Sequence, residues 1–148
     1  MKFNLSEIKL SKKDIKKGLT FPSEMNEKLA EDIGIMIGDG GIGVYKYNNF
    51  TNSIVSVDGN SIIDKEYLLE YVNNLKFRLY NLSFKPYFKK NRNEMRIRMY
   101  SQGLVHFYTK VIGLPLGKKT NIGILLFQRV FLNSLLLIYR LCAYGQLL

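Results

Sequence analysis

Leu29-Ala30-Glu31-Asp32-Ile33-Gly34-Ile35-Met36-Ile37-Gly38-Asp39-Gly40-Gly41 is an apolar helical run with glycines at Gly34 and Gly38, broken by Asp39-Gly40-Gly41. Residues four apart share a helical face, so the two glycines present bare backbone on one side. Each costs a helix about 1 kcal/mol relative to alanine. Such a face suits close approach of a second backbone. Asp39 follows the second glycine directly, which puts a carboxylate at the end of that face. A helix shaped to touch another helix, with an acid at its tip, points to paired acids sharing a metal ion.

The segment Asp32-Ile33-Gly34-Ile35-Met36-Ile37-Gly38-Asp39-Gly40 resembles the motif of the LAGLIDADG homing endonucleases, in the form found in their archaeal and intein-associated branch. The resemblance runs from about Ser11 to Asn121 and includes Gly113-Leu114-Pro115-Leu116-Gly117-Lys118-Lys119-Thr120-Asn121. Asp32 departs from the pattern, which has an apolar residue there. It lies early in the helix, where a carboxylate suits the helix dipole.

The chain has 148 residues, enough for one domain with a core that needs no disulfide or metal staple. Its single cysteine, Cys142, has neither a disulfide partner nor ligand neighbours at zinc spacing, so a reducing compartment is expected. The polar, lysine-rich stretch from Met1 to Lys17 does not read as a secretory signal, and a cytoplasmic location follows as an expectation. A net charge of +10 favours an acidic polymer as partner. Every acidic residue lies at or before Glu94, so the last third of the chain has none.

Outward from the motif, residues 1–23 read as a basic leader, with a short helix capped by Ser11 and stopped by Gly18. The motif helix is expected over about residues 24–39. Period-two alternation predicts strands at Ile42–Tyr47 and Ser53–Asp58, joined at Asn48-Asn49. Asp64 is expected to cap a helix whose buried stripe is Leu68, Val72, Leu75 and Leu79. A second hairpin runs from Ser83 to Lys89 and from Glu94 to Tyr100, turning at Asn91-Arg92-Asn93. Ser101 then opens a helix with Leu104, Val105, Tyr108 and Val111 inward, closed by Gly113-Leu114-Pro115. The order is αββαββα: an α+β fold with an antiparallel sheet and helices on one face, which the resemblance implies is saddle-shaped.

The stretch 24–121 is the expected endonuclease-like domain, and residues 122–148 an apolar tail. In the tail, Asn133, Ser134 and Arg140 interrupt any membrane-length run, so no membrane partner is expected. Two-motif members of the resembled family carry a second motif helix near here, so the resemblance implies that the tail is a frameshifted or truncated remnant of a second half: Leu137 to Gln146 has an apolar helix and one glycine but no acid.

The resemblance implies site-specific double-strand cleavage of DNA with Mg²⁺ or Mn²⁺. Asp39 is then the catalytic and metal-binding acid, with the Gly38 carbonyl beside it, and Gly34 and Gly38 form the dimer interface. One motif supplies one acid while two strands need two, so a homodimer is implied. In the resembled family the sheet reads the major groove. Here Arg96, Arg98 and Tyr100 alternate with Met95, Ile97 and Met99, and Lys85, Tyr87 and Lys89 with Phe84, Pro86 and Phe88. Lys46, Lys85, Tyr87, Lys89, Arg96, Arg98, Lys118 and Lys119 are the candidate DNA contacts. A solvated sheet face alternates in the same way. Two other functions use the same residues: a catalytically inactive DNA-binding remnant or regulator, and a maturase acting on intron RNA. His106, the single histidine, reads as structural.

Overall fold

A computed structural model of the protein describes residues 2–117. Lys118, Lys119 and the tail 122–148 lie outside the described residues. Four strands form one antiparallel sheet in the order β1-β2-β4-β3. They are β1 (Gly40–Tyr47), β2 (Phe50–Asn60), β3 (Lys85–Phe88) and β4 (Glu94–Tyr100). Helices complete an α+β architecture, as expected.

Helix α1 (Lys12–Lys17) forms where its caps require. The Ser11 hydroxyl accepts from the Asp14 N–H at 3.1 Å, and the Asp14 carboxylate accepts from the Ser11 N–H at 2.9 Å. Gly18 ends the helix at φ +71°. The leader is not merely a solvated basic face. Phe3, Leu5 and Ile8 pack against the core, and Phe3 meets Phe107 edge-on at 6.1 Å.

The motif helix α2 (Glu27–Gly38) is shorter at its start than the expected span, because Asn26 caps it by accepting from the Leu29 N–H at 2.9 Å. Asp39 is the one residue between α2 and β1. Both strands of the first hairpin run longer than the alternation indicated, since a two-residue turn at Asn48-Asn49, with Asn48 at φ +48°, lets pairing continue from Gly40↔Val57 to Tyr47↔Phe50.

The third helical segment is π-helical over Tyr67–Val72 and becomes α3 over Asn73–Tyr80. Leu68, Val72, Leu75 and Leu79 are buried as expected. Asp64 stands directly before the helical residues as expected, its carbonyl accepting from the Leu68 N–H at 2.9 Å, but its side chain does not cap them. Its carboxylate turns back to accept from the Asn60 N–H at 2.7 Å, while Asn60 accepts from the Ile62 and Ile63 N–H groups. Helix α4 (Gln102–His106) continues as a π-helical segment, Phe107–Ile112. Ser101 caps α4 by accepting from the Leu104 N–H at 3.1 Å, and Gly113 stops the π-helical segment at φ +86°.

Ile42, Val55, Val57, Met95, Ile97 and Met99 lie on one face of the sheet and are buried. Against that core α2 packs on β1 and α3, and α4 on β2. Asp32, expected only to suit the helix dipole, is fully buried. Its carboxylate is 2.5 Å from the Lys76 ammonium, and the hydroxyls of Tyr80 and Tyr108 donate to it at 2.7 and 2.5 Å. Lys76 also donates to the Tyr108 hydroxyl at 2.8 Å. This polar knot joins α2, α3 and the segment after α4.

Candidate nucleic-acid interface and acid cleft

Two kinds of glycine meet at the end of α2. A Cβ on Gly40 would stand 2.5 Å from the backbone of Met36, so the turn from helix to strand demands a residue without one. A Cβ on Gly34 or Gly38 would meet nothing within 4 Å among the described residues. Close packing therefore explains Gly40, while among the described residues Gly34 and Gly38 are exposed on one side of α2.

Asp39 ends that face with an exposed side chain. Its backbone is pinned at both ends: the N–H donates to the Ile35 carbonyl, and the carbonyl accepts from the Asp58 N–H, each at 2.9 Å. Asp39 lines a cleft of about 440 Å³ together with Asp58, Tyr87, Lys89, Glu94 and Arg96. Asp58 holds Arg96 through two hydrogen bonds of 2.5 and 2.9 Å. That pairing raises the guanidinium above its ordinary pKa against the opposite push of burial, with nearby Tyr45 and Glu94 adding to it. Lys89 pairs with Glu94 at 2.9 Å, and this hydrogen bond holds the Glu94 carboxyl below the usual range.

Register places Arg98 opposite Lys85, and Arg96 opposite Tyr87 and Asp58, so these side chains share the face away from the core. Arg98 lies 4.4 Å from the ring centre of Tyr87 and 5.7 Å from that of Tyr100. Lys46 is opposite Thr51 on the parity of Ile42 and Val44, so it leaves β1 on the other side from Arg96 and Arg98. Thus Lys85, Tyr87, Arg96 and Arg98 are gathered on one surface, Lys89 borders the cleft at its end, and Lys46 stands apart. His106 is remote from the cleft; its Nδ1 accepts from the Lys9 N–H at 3.1 Å. Burial, then the neighbouring Lys110 and Lys9, lower its pKa.

Asp58 was not among the sequence candidates. The signal lay in its alternation: it ends a period-two run on the parity of Ser56 and Ile54, which register places on the same face as the arginines.

No family model matches the chain, and no curated protein does. Among solved structures it is similar to the I-LtrWI LAGLIDADG homing endonuclease bound to target DNA, at 19% identity and a TM-score of 0.40. The alignment covers 57% of this chain and 31% of that one.

Among the described residues, no group of three or more His, Cys, Asp or Glu side chains could hold a metal ion. Asp39 and the backbone carbonyl of Gly38 are hard oxygen donors of the type Mg²⁺ or Mn²⁺ takes, but one carboxylate is too few for a dedicated site. No helix among the described residues is long and apolar enough to cross a membrane.

Proposed function

We propose that this chain is a DNA-binding protein of the LAGLIDADG type, in the αββαββα arrangement with a saddle-shaped sheet, which cleaves double-stranded DNA as a homodimer. The observation that carries the reading is the exposed glycine face of α2 ending in the exposed Asp39 beside a basic sheet surface. Two such helices crossing at Gly34 and Gly38 bring two Asp39 carboxylates together. The pair would hold Mg²⁺ or Mn²⁺, which supplies charge neutralisation at the phosphate and an activated water.

The chain's own residues do the rest. Arg98 and Lys85 face the duplex, where arginine can read a guanine edge and lysine can meet phosphate. Asp58 fixes the direction of Arg96 at the edge of the cleft, and its backbone fixes Asp39. The same junction sets the distance from the reading surface to the acid.

The test uses a plasmid library with a randomised insert, incubated with the full chain and Mg²⁺. Site-selective double-strand breaks are expected, and Asp39→Asn should abolish them while leaving duplex affinity unchanged. Sedimentation should show a dimer on DNA. Selective binding by a strict monomer without nicking would replace cleavage by the binding-only function.

A further inference from the structure

The β1–β2 hairpin extends past the sheet. Pairing of β2 with β4 begins at Ile54↔Tyr100, and the Ser53 carbonyl accepts from the Ser101 N–H at 3.0 Å, so among the described residues Phe50–Asn52 has only β1 beside it. Three residues at strand rise make an arm of about 10 Å. On its outer face are Tyr45, Tyr47 and Phe50, which are 62%, 75% and 73% exposed. Tyr47 and Phe50 are direct cross-strand partners, and Tyr45 shares their parity. The Tyr45 ring is laid back along the strand, since a Cβ on Gly43 would stand 2.8 Å from it. That glycine gives the ring a flat seat. Tyr45 is also within electrostatic reach of Arg96.

Aromatic rings on a two-stranded ribbon that already lacks neighbours are expensive to leave in water. They continue the face that carries Lys85, Arg96, Arg98, Tyr87 and Tyr100, so the arm is an aromatic extension of a cationic surface. A polyanion with flat apolar faces complements both parts. In an intact duplex those faces are covered by stacking, and the groove offers edges instead. Rings of this kind gain a full stacking surface where bases are unstacked.

We infer that the hairpin tip, through Tyr45, Tyr47 and Phe50, is a stacking platform for unpaired nucleobases, so the preferred nucleic acid carries an unpaired or unstacked segment beside the duplex that the sheet holds. The inference rests on the sheet's binding nucleic acid, and goes beyond it by naming the state of the bases at one end. Tyr45 is the fixed inner ring, and Tyr47 with Phe50 form the outer pair that closes on a base.

The test compares an intact duplex with the same duplex carrying a short unpaired segment labelled with aminopurine. The wild-type chain should quench the label and bind the unpaired probe about tenfold more tightly than the intact one. The doubly substituted Tyr47→Ser/Phe50→Ser chain should lose that preference and the quenching, with its melting temperature unchanged. Tyr47→Trp should retain both. Equal weakening on the two probes, no weakening, or loss of self-association in place of a binding change would overturn the inference. Arg98→Ala separates the two ideas: if it weakens both probes while the tip variant changes nothing, the sheet reading stands and the tip platform falls. If wild type binds neither probe, both fall.

Discussion

Removing the Lys76 ammonium from the polar knot tests how the motif helix is held. Lys76→Met leaves the Asp32 carboxylate fully buried, with only the Tyr80 and Tyr108 hydroxyls donating to it. Breaking a buried pair from one side costs about 3–5 kcal/mol, because the abandoned charge has no water. Two retained hydroxyl donors place the loss near the lower end, about 3 kcal/mol, which for a chain of this size lowers the melting temperature by roughly 10 °C. Urea unfolding followed by circular dichroism reads the loss. The apolar fourfold variant Asp32→Leu/Lys76→Met/Tyr80→Phe/Tyr108→Phe removes every member together and should recover to within about 1 kcal/mol of wild type. A single variant that loses under about 1 kcal/mol, or a fourfold variant no better than the single, would refute the knot as an ion-paired unit.

Gly34→Ala should stabilise the monomer by up to about 1 kcal/mol, since its Cβ enters open space, yet weaken any dimer that uses this face; calorimetry and sedimentation check the two effects separately. Gly40→Ala should instead destabilise the chain, because the new Cβ meets the Met36 backbone at 2.5 Å. Asp14→Ala orphans the Ser11 and Gly103 N–H groups and should cost about 2 kcal/mol by urea titration. Burial pushes the Asp14 carboxyl up, but hydrogen bonds from Ser101, Ser11 and Gly103 outweigh it and hold its pKa below the ordinary 3.8. Its contribution is therefore present above that value and is lost as pH falls through the lowered one. Burial first, then the Asp32 charge, raises Tyr80 and Tyr108 well above 10.0. The unfolded chain sheds those protons first, so stability should decline as pH rises past about 10. Ultraviolet titration should show these two tyrosines ionising only as the chain unfolds.

Local chemistry made much of the architecture legible. Ser11, Asp14 and Gly18 specify α1 within one turn of chain. The period-two runs placed all four strands, and the stripe from Leu68 to Leu79 faced the core. The Arg96–Arg98 face could be read because alternation is a property of a strand by itself. Asp32 could not be understood that way, since its partners are 44 residues and more along the chain. A usable signal was present: Asp32 lies on the apolar face of α2 with Leu29, Ile33 and Met36, and Lys76 on that of α3 with Tyr80, in line with Val72 one turn earlier. Two opposite charges on two buried stripes point to each other. The π-helical stretches left no mark in composition or spacing. The place of Asp39 at the end of α2 was legible from the break after Gly38, whereas the pairing of Asp58 with Arg96 became visible only through strand register.

The single residue separating α2 from β1 couples two properties that would otherwise be adjustable apart. Asp39 is tied by covalent bonds to the strand and through its carbonyl to Asp58, the same residue that clamps Arg96. Any redesign that twists or shifts the first hairpin to accept a different ligand therefore drags the acid along. Retargeting this scaffold by replacing outward side chains keeps the acid in place; retargeting it by reshaping the strands does not.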